Sequence, residues 1–338
     1  MDSLSYSSPD QQCEAPIVRE INRREFIRSL VALWATTLGA GGVLAQAACA
    51  PGPGQAGGLA RKPSLGPAVD QAYLTVARGK SPAEITQQAI AALGGIERFV
   101  HSGDDVIIKP NICVAYHTYE YAATTNPEVV ATLVSLCLGA GAKKVRVMDY
   151  PFGGGADAAY ERSGIAQAVT AAGGQMEQMA KMKYRKTAIP AGHDIKEWPV
   201  YQDVLEADAF INVPIAKHHN LARLSLGMKN LLGVVLDRNK YHRNLGQRLA
   251  DLTSLVYPTL TVVDAVRILV DHGPTGGSLE DVQQMDTVIA SHDPVAADSY
   301  AATLFGLAGA DIAYVKAAAE MGLGEMELSS LKIEEIKA

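Results

Sequence analysis

The chain has 338 residues, 48% of them hydrophobic and 20% charged, which allows a sizeable core and excludes wholesale disorder. A net charge of −6 argues against general nucleic-acid binding, so no nucleic-acid partner is expected. Four cysteines without close pairing exclude a disulfide-stapled miniprotein and a four-thiolate cluster of the usual spacing, so no iron–sulfur motif is present.

The N-terminal region sets itself apart by charge. No Asp, Glu, Lys or Arg occurs between Arg28 and Arg61. Within that gap an apolar run, Ser29 to Ala45, follows the basic cluster Arg23, Arg24 and Arg28. Basic residues, a moderately apolar run and then small residues describe an export signal. The pair Arg23-Arg24, followed by Phe26 and Ile27, resembles the twin-arginine signal. Gly39, Gly41 and Gly42 count against the alternative, a buried helix. Gln46-Ala-Ala-Cys49 resembles a lipoprotein processing box with an unusual first position, so Cys49 is a candidate for lipidation. Ordinary cleavage after Ala47 or Ala48, or no cleavage at all, is the competing reading. Pro and Gly dominate 50–58, the composition of a flexible tether. The expected organisation is a twin-arginine signal at 1–48, a tether at 49–64 and a single large α/β domain at 65–338. The twin-arginine translocase would be a partner during export. The mature chain would lie in the periplasm or on the outer face of the cytoplasmic membrane, with Cys49 as a lipid anchor. That route carries chains already folded, which raises the expectation of a bound cofactor or divalent metal without identifying one.

Further along, Ser81-Pro-Ala-Glu84 caps a helix expected over 81–98. A short buried strand, 104–109, ends in Lys-Pro-Asn, and Asn126-Pro-Glu128 opens a second helix through Leu138. Strand 144–148, helix 156–172, strand 209–213, helix 245–256, strands 260–263 and 287–290, and helix 294–305 continue the alternation. This pattern predicts an α/β fold with a mostly parallel or mixed sheet and helices on both faces.

In open α/β sheets, ligands bind beyond the carboxyl ends of the strands. The expected strand ends deliver Lys109 and Asn111, then Asp149 before Gly153-Gly-Gly155, then Lys217, His218, His219 and Asn220, then Asp264, and finally Asp293 with Asp298. The glycine run reads better as a turn than as a phosphate cradle, and Asp293 reads better as a helix cap than as a ligand. The segment 212–242 adds Lys229, Asn230 and His242. Three readings stay open. His218, His242 and Asp264 could form a metal site with open positions. Lys109, Lys217 and Lys229 could form a metal-free site for a small anion. The whole could be a structural network. The catalytic candidates are Lys217, His218, His242 and Asp298, and the binding candidates are Lys109, Asn111, Asp149, Lys229 and Asn230. His101, His117, His193, His272 and His292 read as surface or structural residues. Cys137 reads as a buried free thiol in a helix, although pairing with Cys113 is open to it in an oxidising compartment.

Ile108-Lys-Pro-Asn111, Thr125-Asn-Pro127, Asn212-Val-Pro214 with Lys217-His218, Gly227-Met-Lys-Asn-Leu231 with Gly233, and Asp293-Pro-Val-Ala-Ala-Asp298 together resemble the bacterial and archaeal family called domain of unknown function 362. The resemblance covers roughly residues 65–320 and implies no settled activity. It marks Lys109, Asn111, Lys217, His218, Lys229, Asn230, Asp293 and Asp298 as candidates for a shared site. Many members look to carry ferredoxin-type cysteine motifs, which implies a redox setting, but this sequence has none. Two functions are therefore expected to compete. One is an exported protein whose Lys/His/Asp/Asn site binds a metal or a small anionic ligand. The other is a non-catalytic, membrane-tethered accessory subunit of an envelope redox complex.

Overall fold

The computed structural model describes residues 73–338. The leader, Cys49 and the tether lie outside the described residues. The strands are β1 (Leu74–Arg78), β2 (Asp105–Pro110), β3 (Lys144–Val147), β4 (Gln175–Met176), β5 (Tyr184–Ala188), β6 (Glu197–Tyr201), β7 (Ala209–Val213), β8 (Ile215–His219), β9 (Arg223–Ser225), β10 (Leu260–Leu269), β11 (Val282–Ser291) and β12 (Ile333–Lys337). The helices are α1 (Pro82–Ala92), α2 (Pro127–Gly139), α3 (Ala156–Arg162), α4 (Ile165–Ala171), α5 (Asp203–Glu206), α6 (Gly227–Asn230), α7 (Leu245–Leu255), α8 (Pro294–Thr303) and α9 (Ala313–Glu320).

Ten strands form one mixed sheet in the order β12-β1-β11-β10-β7-β2-β3-β4, with β8 beside β10 and β9 beside β8. From β10 to β4 the neighbours are parallel, whereas β11 runs antiparallel to both β1 and β10. Alternation along β2 sends Ile107 into one apolar cluster and Val106 and Ile108 into the other. Helices α1, α2 and α4 pack on the face of Val106 and Ile108, and α7, α8 and α9 on the face of Ile107. The expected α/β architecture with helices on both faces is therefore present. No described helix is long and apolar enough to cross a membrane.

Several element boundaries differ from expectation. The helix begun at Ser81, whose hydroxyl accepts from Glu84 N at 3.2 Å, stops at Ala92 because Gly94 and Gly95 follow with positive φ. The expected helix 156–172 is two helices, broken at Gly164 (φ 76°). The strands expected at 260–263 and 287–290 are ten residues each, paired as a long antiparallel ladder. Pro214 separates β7 from β8, and β10 is long enough to pair with both, β7 at Leu260 and Thr261 and β8 at Asp264 and Leu269. The strand sequence β7–β8 thus carries Lys217 and His219 past the carboxyl ends of β2 and β3.

The antiparallel course of β11 corrects one expectation. Its carboxyl end, Ser291, pairs with Thr261, which lies level with Asn212 and Lys109, so Asp293 and Asp298 follow a strand that runs back from the cavity rather than into it. Asp293 caps α8, its Oδ1 accepting from Val295 N at 2.8 Å and Ala296 N at 3.1 Å. Both cysteines in the described residues, Cys113 and Cys137, are buried free thiols.

Candidate functional site

The carboxyl ends of β3, β2 and β7 lie side by side, and the segment 227–242 folds over them. Between the two is a cavity of about 480 Å³. Its wall includes Lys109, Asn111, Cys113, Asp149, Lys217, His219, Lys229, Asn230, Arg238 and His242, with Tyr150, Phe152, Leu221 and Leu232 supplying apolar surface.

Most of the polar residues at its base are tied to one another. Lys109 Nζ lies 2.7 Å from Asp149 Oδ1 and donates to Asn230 Oδ1 at 3.0 Å. Asp149 also accepts from Ile112 N at 2.6 Å and Tyr150 N at 2.8 Å, which joins the ends of β2 and β3. Asn111 Nδ2 donates to Asn230 Oδ1 at 2.9 Å, and Asn230 Nδ2 donates to Asn212 Oδ1 at 2.9 Å. Lys217 Nζ donates to Asn111 Oδ1 (3.1 Å), Ala123 O (2.6 Å) and Pro274 O (2.9 Å), and lies 3.3 Å from Cys113 Sγ. Thr125, beside the cap residue Asn126, donates to Val213 O and accepts from Asn111 N, both at 2.8 Å. The amides of Asn111, Asn212 and Asn230 therefore serve as a scaffold between strand ends. Burial pulls the Lys109 ammonium below its usual range, partly offset by Asp149.

Gly233 is required by this packing. A Cβ there would overlap Asp149 Oδ1 and Lys109 Cε. The run Gly153–Gly155 makes a close loop contact: Gly153 bridges Val114, and its carbonyl accepts from Ala115 N at 3.0 Å.

What faces the open part of the cavity is mainly cationic. The Lys229 ammonium has no hydrogen bond or ion pair with any described residue. Burial, reinforced by Lys217 and Arg238, pushes its ammonium down to about 7. Arg238 follows Asp237, which takes a left-handed conformation (φ 56°). The guanidinium stacks on Tyr150 at 4.7 Å and donates to Tyr150 O and Val235 O. None of these partners is an acid. Four cations thus line the cavity against one carboxylate, Asp149.

Strand alternation decides which histidine joins them. Lys217 and His219 point to one side of β8 and into the cavity, and His218 points away. His218 Nδ1 accepts from Gly273 N at 3.1 Å and lies 3.9 Å from Asp271. His219 Nδ1 accepts from Leu221 N (3.1 Å) and Ala222 N (3.3 Å), which leaves its proton on Nε2. Burial and the nearby Lys229 and Lys217 push His219 down to about 3, and burial and Lys229 also lower His242, so both rings are neutral at pH 7.

Besides His218, two more expected site residues stand off the cavity wall. Asp264 is in the middle of β10, its oxygens accepting from Asn126 N at 2.7 Å and Val266 N at 3.0 Å, and burial pushes its carboxyl up to about 6. Asp298 lies beneath α6, accepting from Gly227 N at 2.6 Å and Met228 N at 2.9 Å, and burial pushes it up to about 7. It positions the turn that carries Lys229 and Asn230. The set His218, His242 and Asp264 is therefore not assembled, and among the described residues no group of three or more His, Cys, Asp or Glu is placed to hold a metal ion. Arg238 and Cys113 were not expected as site residues, and His219, expected at the strand end, was set aside in favour of His218. Alternation counted from Lys217 would have selected His219, while Arg238 lies outside every motif and is brought in by the fold.

Residues 106–303 match the family model described as a domain of unknown function (DUF362). Among curated proteins, a thylakoid-associated protein of Synechocystis is 27% identical over 240 residues, covering 68% of this chain and 72% of that one. Among solved structures, the lactate racemase apoprotein of Thermoanaerobacterium thermosaccharolyticum aligns with a TM-score of 0.40 at 12% identity. The match takes in 64% of this chain and spans about half of that structure, 54%.

Proposed function

The chain belongs to the DUF362 domain family, and from that premise we propose that its cavity binds a small organic anion, held by Lys229 and Arg238 beside the charge of Lys217. The observation that carries this reading is the excess of cationic groups facing the cavity, above all the Lys229 ammonium without a counterion. An uncompensated charge in a partly desolvated site is costly, and an anion relieves that cost. His219 Nε2–H and His242 offer neutral hydrogen-bonding groups beside the cations. Titration calorimetry and melting-temperature shifts with small carboxylates and inorganic phosphate test the reading. Binding should weaken as pH rises through about 7, where Lys229 loses its proton. Lys229→Met should cost about tenfold in affinity, roughly 1.4 kcal/mol. Absence of any response to all of these anions would remove the proposal.

A second reading draws on the leader-like residues 1–48 and on the name of the Synechocystis relative. In it, the chain is exported by the twin-arginine route, is held by a lipid on Cys49 at the outer face of the cytoplasmic membrane, and serves a redox complex as an accessory subunit. Intact mass of the natively exported protein, together with its partition between membrane and soluble fractions, tests it. An unlipidated chain that washes off freely without a partner counts against it.

A further inference from the structure

Lys109, Lys217 and Lys229 all reach one cavity, yet their ammonium groups are bound differently. Lys109 is held by Asp149, Asn230 and the Pro110 carbonyl, and Lys217 by Asn111 and two backbone carbonyls. Lys229 is held by nothing described, and it sits on a short helix fixed from below by Asp298. The groups that face it are Lys109 from β2, Cys113 from the loop after β2, Lys217 and His219 from β8, and Arg238 and His242 from the segment after α6. We propose that Lys229 is a nucleophilic amine that condenses with the carbonyl group of a small oxo acid, whose carboxylate is held by Arg238.

This rests on the anion-binding reading and adds the substrate class and a covalent step. Two observations support it beyond the cavity itself. A lysine beside other cations in a desolvated pocket gives up its proton near neutral pH, and Lys229 is pushed down to about 7 for that reason. Arg238 meets only carbonyl oxygens and a ring, so its charge is available to a carboxylate without disturbing an existing ion pair. In the step, the Nζ lone pair attacks the carbonyl carbon while the C–O π pair moves to oxygen. A proton passes from nitrogen to that oxygen to give a carbinolamine, which loses water and leaves a C=N bond. One amine and one carbonyl yield one imine and one water, and nothing is oxidised.

Reductive trapping tests the proposal. The full chain is incubated with cyanoborohydride and glyoxylate, pyruvate or 2-oxoglutarate, and modified lysines are mapped by peptide mass. We expect a single secondary amine at Lys229, formed at least about tenfold faster than at exposed lysines such as Lys143 and Lys181. Its rate should rise with pH through about 7, and propanal, which lacks the acid group, should label it poorly. Lys229→Arg, whose guanidinium forms no imine, should abolish the adduct at this position. Melting shifts without an adduct at Lys229, or adducts spread evenly over surface lysines, would overturn the imine step and leave anion binding standing. Loss of the melting shifts as well would overturn both.

Discussion

Lys109 Nζ and Asp149 Oδ1 face each other at 2.7 Å with both side chains almost excluded from solvent. Removing one partner leaves the other charge buried and uncompensated, so Lys109→Met is expected to destabilise the fold by about 3–5 kcal/mol. The double variant Lys109→Met/Asp149→Asn should recover part of that loss, because Asn keeps an acceptor for the Ile112 and Tyr150 amides. Urea unfolding of both variants beside the wild type measures the two losses. Equal loss in the single and double variants would contradict the pairing.

Gly233 closes over that pair. Gly233→Ala should cost about 1–3 kcal/mol, since neither the carboxylate nor the lysine stem has room to retreat. Gly139, at the end of α2, meets nothing within 4 Å and has no positive φ. Gly139→Ala is therefore expected to be neutral or slightly stabilising, and thermal unfolding of the two variants separates packing from backbone entropy.

Two buried groups give stability opposite dependences on pH. Asp298 titrates near 7 in the fold against an ordinary 3.8, so the folded state holds the extra proton between those values and stability falls as pH rises from about 4 to 7. Lys229 is lowered from 10.5 to about 7, so the unfolded state holds the extra proton and stability rises from about pH 7 to 10. Asp298→Asn should flatten the acid side of the profile and Lys229→Met the alkaline side. Unfolding free energies measured from pH 4 to 10 check both signs.

The adjacent histidines should separate by function. His219→Ala should weaken anion binding about fivefold, the value of one hydrogen bond at ~1 kcal/mol. His218→Ala should leave affinity nearly unchanged while loosening the 271–274 loop, which it holds through Gly273 N. Calorimetry on both variants reads the difference, and a larger affinity loss in His218→Ala would reverse the assignment of the two faces of β8.

The fold class was readable because helix caps and buried strands are local signals: Ser81, Asn126 and Asp293 cap helices as their positions imply. Strand direction is not local. Nothing around Thr287–Ala290 announces that β11 runs antiparallel, and that single fact leaves Asp293 as a helix cap and Asp298 beneath α6 rather than on the cavity wall. Strand length failed for a related reason, because β10 continues past Val263 through the polar Asp264, whose side chain is satisfied by Asn126 N from another element. Lys109, Lys217, Lys229 and His242 do gather at one cavity, but the choice of His218 over His219 needed the exact phase of β8. Arg238 was illegible since a left-handed Asp237 and the Tyr150 ring, far apart in sequence, set its direction.

The two cysteines of the described residues differ in a way that turns the cavity into its own reporter. Cys137 is sealed within α2 and pushed up to about 12 by burial, which makes it inert to alkylation. Cys113 lines the cavity wall beside Lys217. Of this pair, iodoacetamide entering from solvent should therefore mark Cys113 alone, read by peptide mass, and any occupant should shield it. The rate of that single modification gives a readout of occupancy that requires no knowledge of what the occupant is.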